Sequence, residues 1–275
     1  MTVASVNANG DFRVGDVLSR AWSILSGNIG FFIAVPVVLL VCYVMLGAVL
    51  GFLFGAVFAA VGRGSPWVAG VAGIVTIVGM LCLNMIGQGV LLLGAFQRLR
   101  GEPLRPAEAL QRVLKRFLPL AGLSILWSLA LVAAVIFSSF VFWALALALK
   151  WFAFVLVPVI AVPPFMLLVM WLVAVPACVV ESHGPVSSMS RSAALTKGFR
   201  WKITGIVLLI LAATALARLL QSVVAMASSA AEIIFILVWF VAWIAYLDCI
   251  VIMTYHDLRV AKEGIDTAQI ASVFD

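Results

Sequence analysis

Three polar side chains stand inside apolar stretches of the sequence and are the first candidates for a chemical site. Asp248 lies within the apolar run 235–252, and Asn84 and Gln88 lie four residues apart in another. A charged side chain inside a membrane is costly and must face protein or water. Asp248 therefore predicts either a group that titrates a proton, binds a cation or partners a basic lipid headgroup, or a structural carboxylate paired with an arginine or a hydroxyl. Asn84 and Gln88 share a helix face and predict interhelical hydrogen bonds or a cavity lining.

The other reactive residue types form no catalytic pattern. The two histidines, His183 and His256, lack the carboxylate cluster that metal-assisted phosphodiester cleavage needs. The sequence contains no nucleotide-binding glycine motif and no zinc-protease motif. Its four cysteines lie within or at the ends of apolar stretches and form no C-x-x-C pair: Cys42, Cys82, Cys178 and Cys249. We therefore expect no enzyme activity, no metal and no cofactor.

Prolines and glycines predict two further features of the helices that carry these residues. Pro163 and Pro164 lie near the middle of an apolar stretch and predict a kinked or broken helix, a device that many transporters use to build a substrate site. Gly47, Gly51 and Gly55 recur every four residues and predict a small surface for close helix packing. The partner is either another span of this chain or a second protomer.

Composition places the whole chain in a membrane. Of the 275 residues, 65% are hydrophobic and only 10% are charged, and the mean hydropathy is +1.25. Soluble domains carry about 25% charged residues. We therefore expect a single all-α integral membrane domain over 1–275, with a short cytoplasmic tail over 258–275.

Charge-free stretches give the number of spans, because a bilayer core of about 30 Å needs about 20 apolar residues. Three stretches are free of charged residues over their whole length, and none is long enough for two spans and a turn. Three more are shorter or contain one charged residue. The six lie at 20–63, 63–98, 116–150, 150–181, 203–232 and 233–255. The sequence predicts six transmembrane helices.

The distribution of lysine and arginine predicts the orientation. With the N-terminus inside, fourteen basic residues fall on the cytoplasmic side, and only Arg63, Lys150 and Arg218 fall outside. Basic residues in short loops stay cytoplasmic. We therefore expect a multi-pass membrane protein with both termini in the cytoplasm. The positive-inside rule also accounts for the basic loops without nucleic acid as a partner.

The cytoplasmic segments are predicted to form interfacial amphipathic helices. In the first, Val14, Val17, Leu18, Ala21, Trp22 and Leu25 follow helical spacing. In the second, the apolar face is Leu110, Val113, Leu114, Phe117 and Leu118. The third, 185–198, is less amphipathic. Their basic residues are predicted contacts for anionic lipid or for a partner protein: Arg20, Arg112, Lys115, Arg116, Arg191 and Lys197.

An interfacial helix followed by two spans occurs three times in this reading. The units are about 10–97, 101–180 and 184–257. Each begins on the cytoplasmic side, so the units run parallel, and internal duplication explains them economically. The alternative is that basic amphipathic loops are simply common in polytopic proteins.

Two groups of residues carry a resemblance to a known family. The first is Val179-Val180-Glu181, followed by Gly184-Pro185, Ser190-Arg191-Ser192 and Leu195-Thr196-Lys197-Gly198. The second is Tyr255-His256-Asp257-Leu258-Arg259. They resemble the membrane-domain family of glycerophosphoryl diester phosphodiesterases, which includes YciC-like six-span inner-membrane proteins. In fused members catalysis belongs to a separate soluble barrel domain. The resemblance therefore implies a six-span fold in the bacterial inner membrane, and it transfers no activity to this chain.

Three functions follow as hypotheses. The leading one is a non-catalytic membrane protein that binds lipid or assists the assembly or stability of a membrane complex, with another membrane protein or a second copy as partner. The alternative is a small-molecule or lipid transporter that uses the proline-broken fourth span and Asp248. A lipid-modifying enzyme ranks last, because one buried aspartate is too little machinery for acid–base or nucleophilic chemistry.

Overall fold

The computed structural model describes residues 12–61, 66–99 and 103–263. It is 92% helix without strands over those ranges, which confirms the predicted all-α class. Arg63 and Arg100, the starts of the first two predicted repeat units at 10 and 101, and residues 264–275 lie outside the described residues.

Six helical stretches are long and apolar enough to cross a membrane, and the predicted count is confirmed. They are Ile29–Ala60, Trp67–Arg98, Phe117–Leu149, Val162–Val180, Arg200–Ala227 and Ser229–Glu263. A helix of 32 residues is about 48 Å long at 1.5 Å per residue, well beyond a hydrocarbon core of about 30 Å. The longer spans therefore tilt or extend past the lipid.

The helices follow one another in this order: α1 (Val14–Gly27), α2 (Ile29–Val61), α3 (Pro66–Leu99), α4 (Pro106–Lys115), α5 (Phe117–Leu149), a 3-10 segment (Lys150–Leu156), α6 (Val157–Ile160), α7 (Val162–Met170), α8 (Ala174–Val180), α9 (Pro185–Thr196), α10 (Arg200–Ala227) and α11 (Ser229–Glu263). α11 continues six residues into the range predicted as a tail. Asn28 separates α1 from α2, and its side chain accepts a hydrogen bond from Arg98 at the end of α3. The end of the bundle that carries α1, α4 and α9 is called the basic end below.

The buried core of the described residues lies toward the basic end. α1 contributes Val17, Ala21 and Leu25, spaced four residues apart on one face. The longest run of buried residues lies in the second half of α11 and includes Ile252, Met253 and Tyr255. Toward the other end, most side chains of the long helices are exposed to the surroundings of the bundle. The contacts that fix the fold are therefore concentrated where the short helices meet the spans.

The helix α4 buries two residues against the bundle and leaves two of its predicted apolar residues exposed. It begins with Pro106, whose fixed φ and missing N–H suit the first turn of a helix. Of the predicted apolar residues, Val113 is buried, whereas Leu110 and Leu114 are exposed. Ala109 takes the second buried position because it lies one turn from Val113. The two leucines are left on a face of α4 that no described part of the chain covers.

The stretch 150–181 predicted as the fourth span is broken in two places, of which only the second lies within the helical stretch Val162–Val180. α7 begins at Val162 with Pro163 and Pro164 in its first turn, directly after Ala161 ends the short helix α6. A second break, between α7 and α8, lies three residues before Pro176. A proline removes one main-chain donor and clashes with the carbonyl four residues earlier, which is Leu172 here. The second break therefore has a local cause in the sequence.

The close contact between α2 and α3 is made by glycines of α3, not by the predicted glycine row of α2. A Cβ added at Gly94 would lie 2.3 Å from the Phe31 ring, and one at Gly87 would lie 2.1 Å from the Leu39 side chain. Gly79 makes the same kind of contact with Leu46. Large side chains of α2 thus fill notches in α3, a small-residue packing typical of membrane helices.

The predicted row Gly47, Gly51 and Gly55 packs against no other described helix. A Cβ at any of the three positions would meet no atom within 4 Å. The expectation that another span of this chain covers the row is therefore not met, because the row lies on a face of α2 turned away from the contacts with α3. The alternative, a second protomer, stays a prediction.

Candidate functional site

Glu181 is the centre of a network of charged and polar side chains at the basic end. It follows α8 directly, and its side chain is only 12% exposed. Arg191 of α9 donates a hydrogen bond from Nε to Glu181 Oε2 over 2.7 Å. Tyr255 of α11 donates its hydroxyl to Glu181 Oε1 over 2.8 Å, and Arg259 Nε lies 3.9 Å from the same oxygen. One carboxylate thus joins α8, α9 and α11.

Glu263 completes this network at the end of α11. Arg191 binds Glu263 through Nη2, and Arg259 Nε lies 3.0 Å from Glu263 Oε2. Burial disfavours the Arg191 cation, but the Glu181 and Glu263 carboxylates outweigh burial and raise the pKa of Arg191 above its usual value. Arg191 therefore stays charged and bound between two helices.

A second ion pair attaches α1 to α11. Arg20 binds Asp257, whose side chain is buried. His256 Nδ1 lies 3.3 Å from the other oxygen of Asp257, and its Nε2 is buried without a hydrogen-bond partner among the described residues. The Glu181 network and the Arg20–Asp257 pair both use residues of the segment 255–259, which carries the Tyr-His-Asp-Leu-Arg motif. These contacts hold helices together, and they place no nucleophile beside a general base.

The predicted lipid contacts therefore fall into two groups. Arg20 and Arg191 face carboxylates of the protein itself, which the sequence alone did not indicate. Arg112, Lys115 and Lys197 are exposed, and Arg116 is half-buried. The exposed residues remain candidates for contacts outside the chain.

Lys197 belongs to a cluster of basic side chains between α9, α10 and α11. Lys262 donates a hydrogen bond to the carbonyl of Ala194 in the last turn of α9. The positive charges of Lys197, Arg191 and Arg200 act on this ammonium group. Arg200 Nε is buried and has no hydrogen-bond partner among the described residues. Because the adjacent carboxylates are already bound by Arg191 and Arg259, the cluster of Lys197, Arg200 and Lys262 carries excess positive charge.

The loop that carries this cluster requires a glycine and ends beside an exposed tryptophan. Gly198 has a φ of 92°, a conformation that side chains with a Cβ rarely adopt. The chain reverses there between α9 and α10. Trp201, in the first turn of α10, is 88% exposed. Exposed tryptophans next to basic residues are typical of the membrane–water interface.

Asp248 lies in the interior of the bundle, where α11 packs against α2 and α3. Its side chain is 5% exposed, and Oδ2 has no hydrogen-bond partner among the described residues. The Tyr43 hydroxyl of α2 interacts with the Asn84 side chain of α3 and with the charge of Asp248. Sequence reasoning named Asp248 and Asn84 but missed Tyr43. The hydroxyl of Tyr246, two residues before Asp248, donates to the main-chain carbonyl of Leu18 over 3.3 Å.

Asp248 and the break at Pro163 and Pro164 lie on different sets of helices. α7 packs mainly against α5, α9 and α10, whereas Asp248 lies on α11, where its charge acts on Tyr43 of α2. The second half of the span, α8, does pack against α3 and α11. Pro163 is exposed at the outside of the bundle. Gln88, one turn from Asn84 toward the basic end, is half-buried. The two features that the transport hypothesis combines are therefore not brought together.

Comparisons with known proteins identify no relative. No protein-family model matches the chain, and neither a curated protein nor a solved structure is detectably similar to it. The resemblance stated from the sequence motifs therefore stays a prediction.

Proposed function

We propose that the chain is a non-catalytic integral membrane protein that binds anionic lipid headgroups at its basic end. The observation that carries this proposal is the basic cluster of Lys197, Arg200 and Lys262, whose neighbouring carboxylates are already bound by arginines. A phosphate group supplies the missing negative charge and accepts hydrogen bonds from several donors at once.

The position of the cluster fits a lipid better than a dissolved anion. It lies at the start of a spanning helix, Arg200–Ala227, beside the exposed ring of Trp201. A basic residue near an anionic membrane surface contributes about 1 kcal/mol to the attraction. Headgroup, ammonium groups and indole ring then meet at the same interface.

The exposed basic residues of α4 extend the same surface less specifically. Arg112 and Lys115 are exposed and bind no carboxylate of the described residues at the distance of an ion pair. They lie on one short helix, whereas the charges of Lys197, after α9, and Arg200, in α10, both act on Lys262 of α11. We therefore assign them a general attraction to the anionic surface.

Retention of lipid by variant proteins tests the proposal. The protein is inserted into nanodiscs that contain phosphatidylglycerol and phosphatidylcholine, and native mass spectrometry counts the retained lipids. K197Q/K262Q removes two charges from the cluster, and R112Q/K115Q removes two charges from α4. We expect K197Q/K262Q to lose about tenfold or more in affinity for phosphatidylglycerol, on the basis of about 1 kcal/mol per residue, and R112Q/K115Q to lose clearly less. Equal losses in the two variants, or no loss in either, contradict the role of the cluster.

Native mass spectrometry of protein extracted from its own membrane tests the other part of the leading hypothesis, assistance to a membrane complex. A protein that assists a membrane complex retains a partner subunit in fixed stoichiometry when it is extracted gently from its own membrane. The open glycine row Gly47, Gly51 and Gly55 is the surface that such a partner or a second copy would use. G51L blocks close approach at the row and is expected to release that partner while lipid retention stays unchanged.

Transport is the weaker candidate, because its two structural features lie apart. Uptake by proteoliposomes that contain D248N tests it directly. A substrate that the wild-type protein moves and D248N does not would restore the transport hypothesis.

A further inference from the structure

Three polar residues on three different spans lie at one depth in the bundle. Tyr43 is 14 residues from the start of α2, Asn84 is 15 residues from the end of α3, and Asp248 is 15 residues from the end of α11. All three helix ends lie at the basic end. At 1.5 Å per residue these positions are about 21–23 Å from it. The three side chains therefore form one layer inside the membrane-spanning part.

The carboxyl group in this layer forms no ion pair with a basic side chain of the described residues. Asp248 is buried, and its Oδ2 has no hydrogen-bond partner among the described residues. The nearest charged residue along α11 is Asp257, nine residues or about 13 Å away, and Asp257 is bound by Arg20. An isolated carboxylate in an apolar interior is strongly disfavoured and is found either neutralised or paired.

We propose that Asp248, with Tyr43 and Asn84, forms a binding site for one positive charge, either a proton or a small monovalent cation. The carboxyl oxygen of Asp248 and the oxygens of the Tyr43 hydroxyl and the Asn84 amide are hard donors of the kind that such cations select. With a single carboxyl group, one unit charge makes the site neutral. A divalent ion would leave a net positive charge and needs more oxygen ligands than this layer offers.

Few other titratable groups lie close enough to Asp248 to bind the positive charge in its place. On its own helix the adjacent group is the Cys249 thiol, and α2 contributes the Tyr43 hydroxyl. α3 contributes the uncharged amide of Asn84, and its arginine, Arg98, is bound to Asn28 at the basic end. The other charged groups of the elements packed against α11 lie at the basic end, apart from Arg218 of α10, which is exposed and donates a hydrogen bond to Gln221. Those at the basic end are Asp16 and Arg20 of α1, Glu181 after α8, Arg191 of α9, and Arg200 and Lys202 of α10. Asp248 is therefore the group whose charge changes.

This site does not depend on the headgroup cluster. Lys197 and Lys262 lie at the basic end, about two nanometres from the layer of Asp248 by helix length. Loss of lipid binding in K197Q/K262Q therefore leaves the charge-binding proposal intact, and the reverse also holds.

Carbodiimide labelling tests the proposal on the whole protein in nanodiscs. Dicyclohexylcarbodiimide enters apolar regions, adds to a protonated carboxyl group and rearranges to a stable N-acylurea that peptide mass spectrometry locates. We expect labelling of Asp248 at acid pH that falls as the pH rises, and no labelling of the exposed Glu108. D248N removes the label from this peptide and serves as the assignment control.

The labelling rate is compared in sodium chloride and in choline chloride at equal ionic strength. This comparison distinguishes a bound sodium ion from a bound proton. Suppression of labelling by sodium identifies a cation site, and labelling that depends on pH alone identifies a proton site. N84A and Y43F are expected to change the labelling rate at least tenfold. C82A, on the opposite face of α3, is the matched control and is expected to leave it unchanged. The proposal is overturned if Asp248 is unlabelled at every pH, or if its labelling depends on neither pH nor sodium.

Discussion

The Ser192 hydroxyl of α9 donates a hydrogen bond to the main-chain carbonyl of Met170, 2.8 Å away, at the break between α7 and α8. In an unbroken helix that carbonyl would accept from the amide of residue 174, but Ala174 instead donates to the carbonyl of Trp171. Thr196, one turn further along α9, lies 3.4 Å from the same oxygen through its hydroxyl. A carbonyl freed inside an apolar bundle is thus satisfied by side chains of a neighbouring helix.

S192A should destabilise the protein by removing this donor. Loss of a buried partner that leaves a carbonyl unsatisfied costs about 1–3 kcal/mol. We expect a lower midpoint of thermal unfolding in detergent, followed by the fluorescence of a thiol-reactive dye that reports the exposure of Cys178, close to the break. Ser190 is exposed two residues earlier on the same helix, so S190A should leave the midpoint unchanged. Equal midpoints for both variants would show that Thr196 alone satisfies the carbonyl.

G94A should destabilise the contact between α2 and α3. The new methyl group would overlap the Phe31 ring, because a Cβ at this position lies 2.3 Å from that ring. Overpacking of this kind costs about 1–3 kcal/mol. Thermal unfolding in detergent measures the loss.

G51A is the matched control for G94A. A Cβ at Gly51 meets no atom within 4 Å, so we expect no loss in the isolated chain. A loss as large as that of G94A would instead mean that the glycine row is covered by a second protomer under the conditions of the measurement.

The glycines of α2 and of α3 show which parts of the packing the sequence predicts and which it does not. Hydropathy predicts the six spans, because an apolar stretch of sufficient length is a local property of the sequence. The spacing of Gly47, Gly51 and Gly55 predicts a small surface but not the direction in which it faces. Gly87 and Gly94 make the close contacts, and their longer spacing becomes visible only when α2 lies beside α3.

The residues of the candidate sites, like the helix packing, were predicted only in part. Asp248 is conspicuous because a charge in an apolar run is rare. Tyr43 was missed, since a tyrosine counts as apolar in such a run until its hydroxyl is seen beside Asn84. Arg191 was assigned to anionic lipid or a partner protein because its carboxylate partners, Glu181 and Glu263, lie ten and 72 residues away and meet it only in the folded chain. Pairings across the fold cannot be derived from one sequence alone.

The predicted orientation can be measured with reporters on the intact chain. We expect a green fluorescent protein fused after residue 275 to fluoresce and an alkaline phosphatase fused there to be inactive, because fourteen of the seventeen basic residues favour a cytoplasmic basic end. Fusions after Leu149, at the opposite end of α5, are the control and should give the reverse pattern. Active phosphatase at residue 275 contradicts the orientation.

E181Q should weaken the attachment of α9 to α11. The substitution keeps the shape of the side chain but removes the charge that binds Arg191 and interacts with Arg259, and it leaves those arginines partly buried with less compensation. Breaking a buried pair in this way costs roughly 3 kcal/mol. E108Q removes a carboxylate whose pair with Arg105 is exposed, and it should cost less than about 1 kcal/mol.

A double-mutant cycle separates the ion pair from other effects of the same change. If Glu181 acts mainly through Arg191, E181Q/R191Q should be more stable than the sum of the single losses predicts, by a coupling energy of about 1–3 kcal/mol. Thermal unfolding of the four proteins in one detergent gives that coupling. Purely additive losses would place the role of Glu181 in its hydrogen bond with Tyr255 instead, and Y255F should then reproduce most of the loss seen in E181Q.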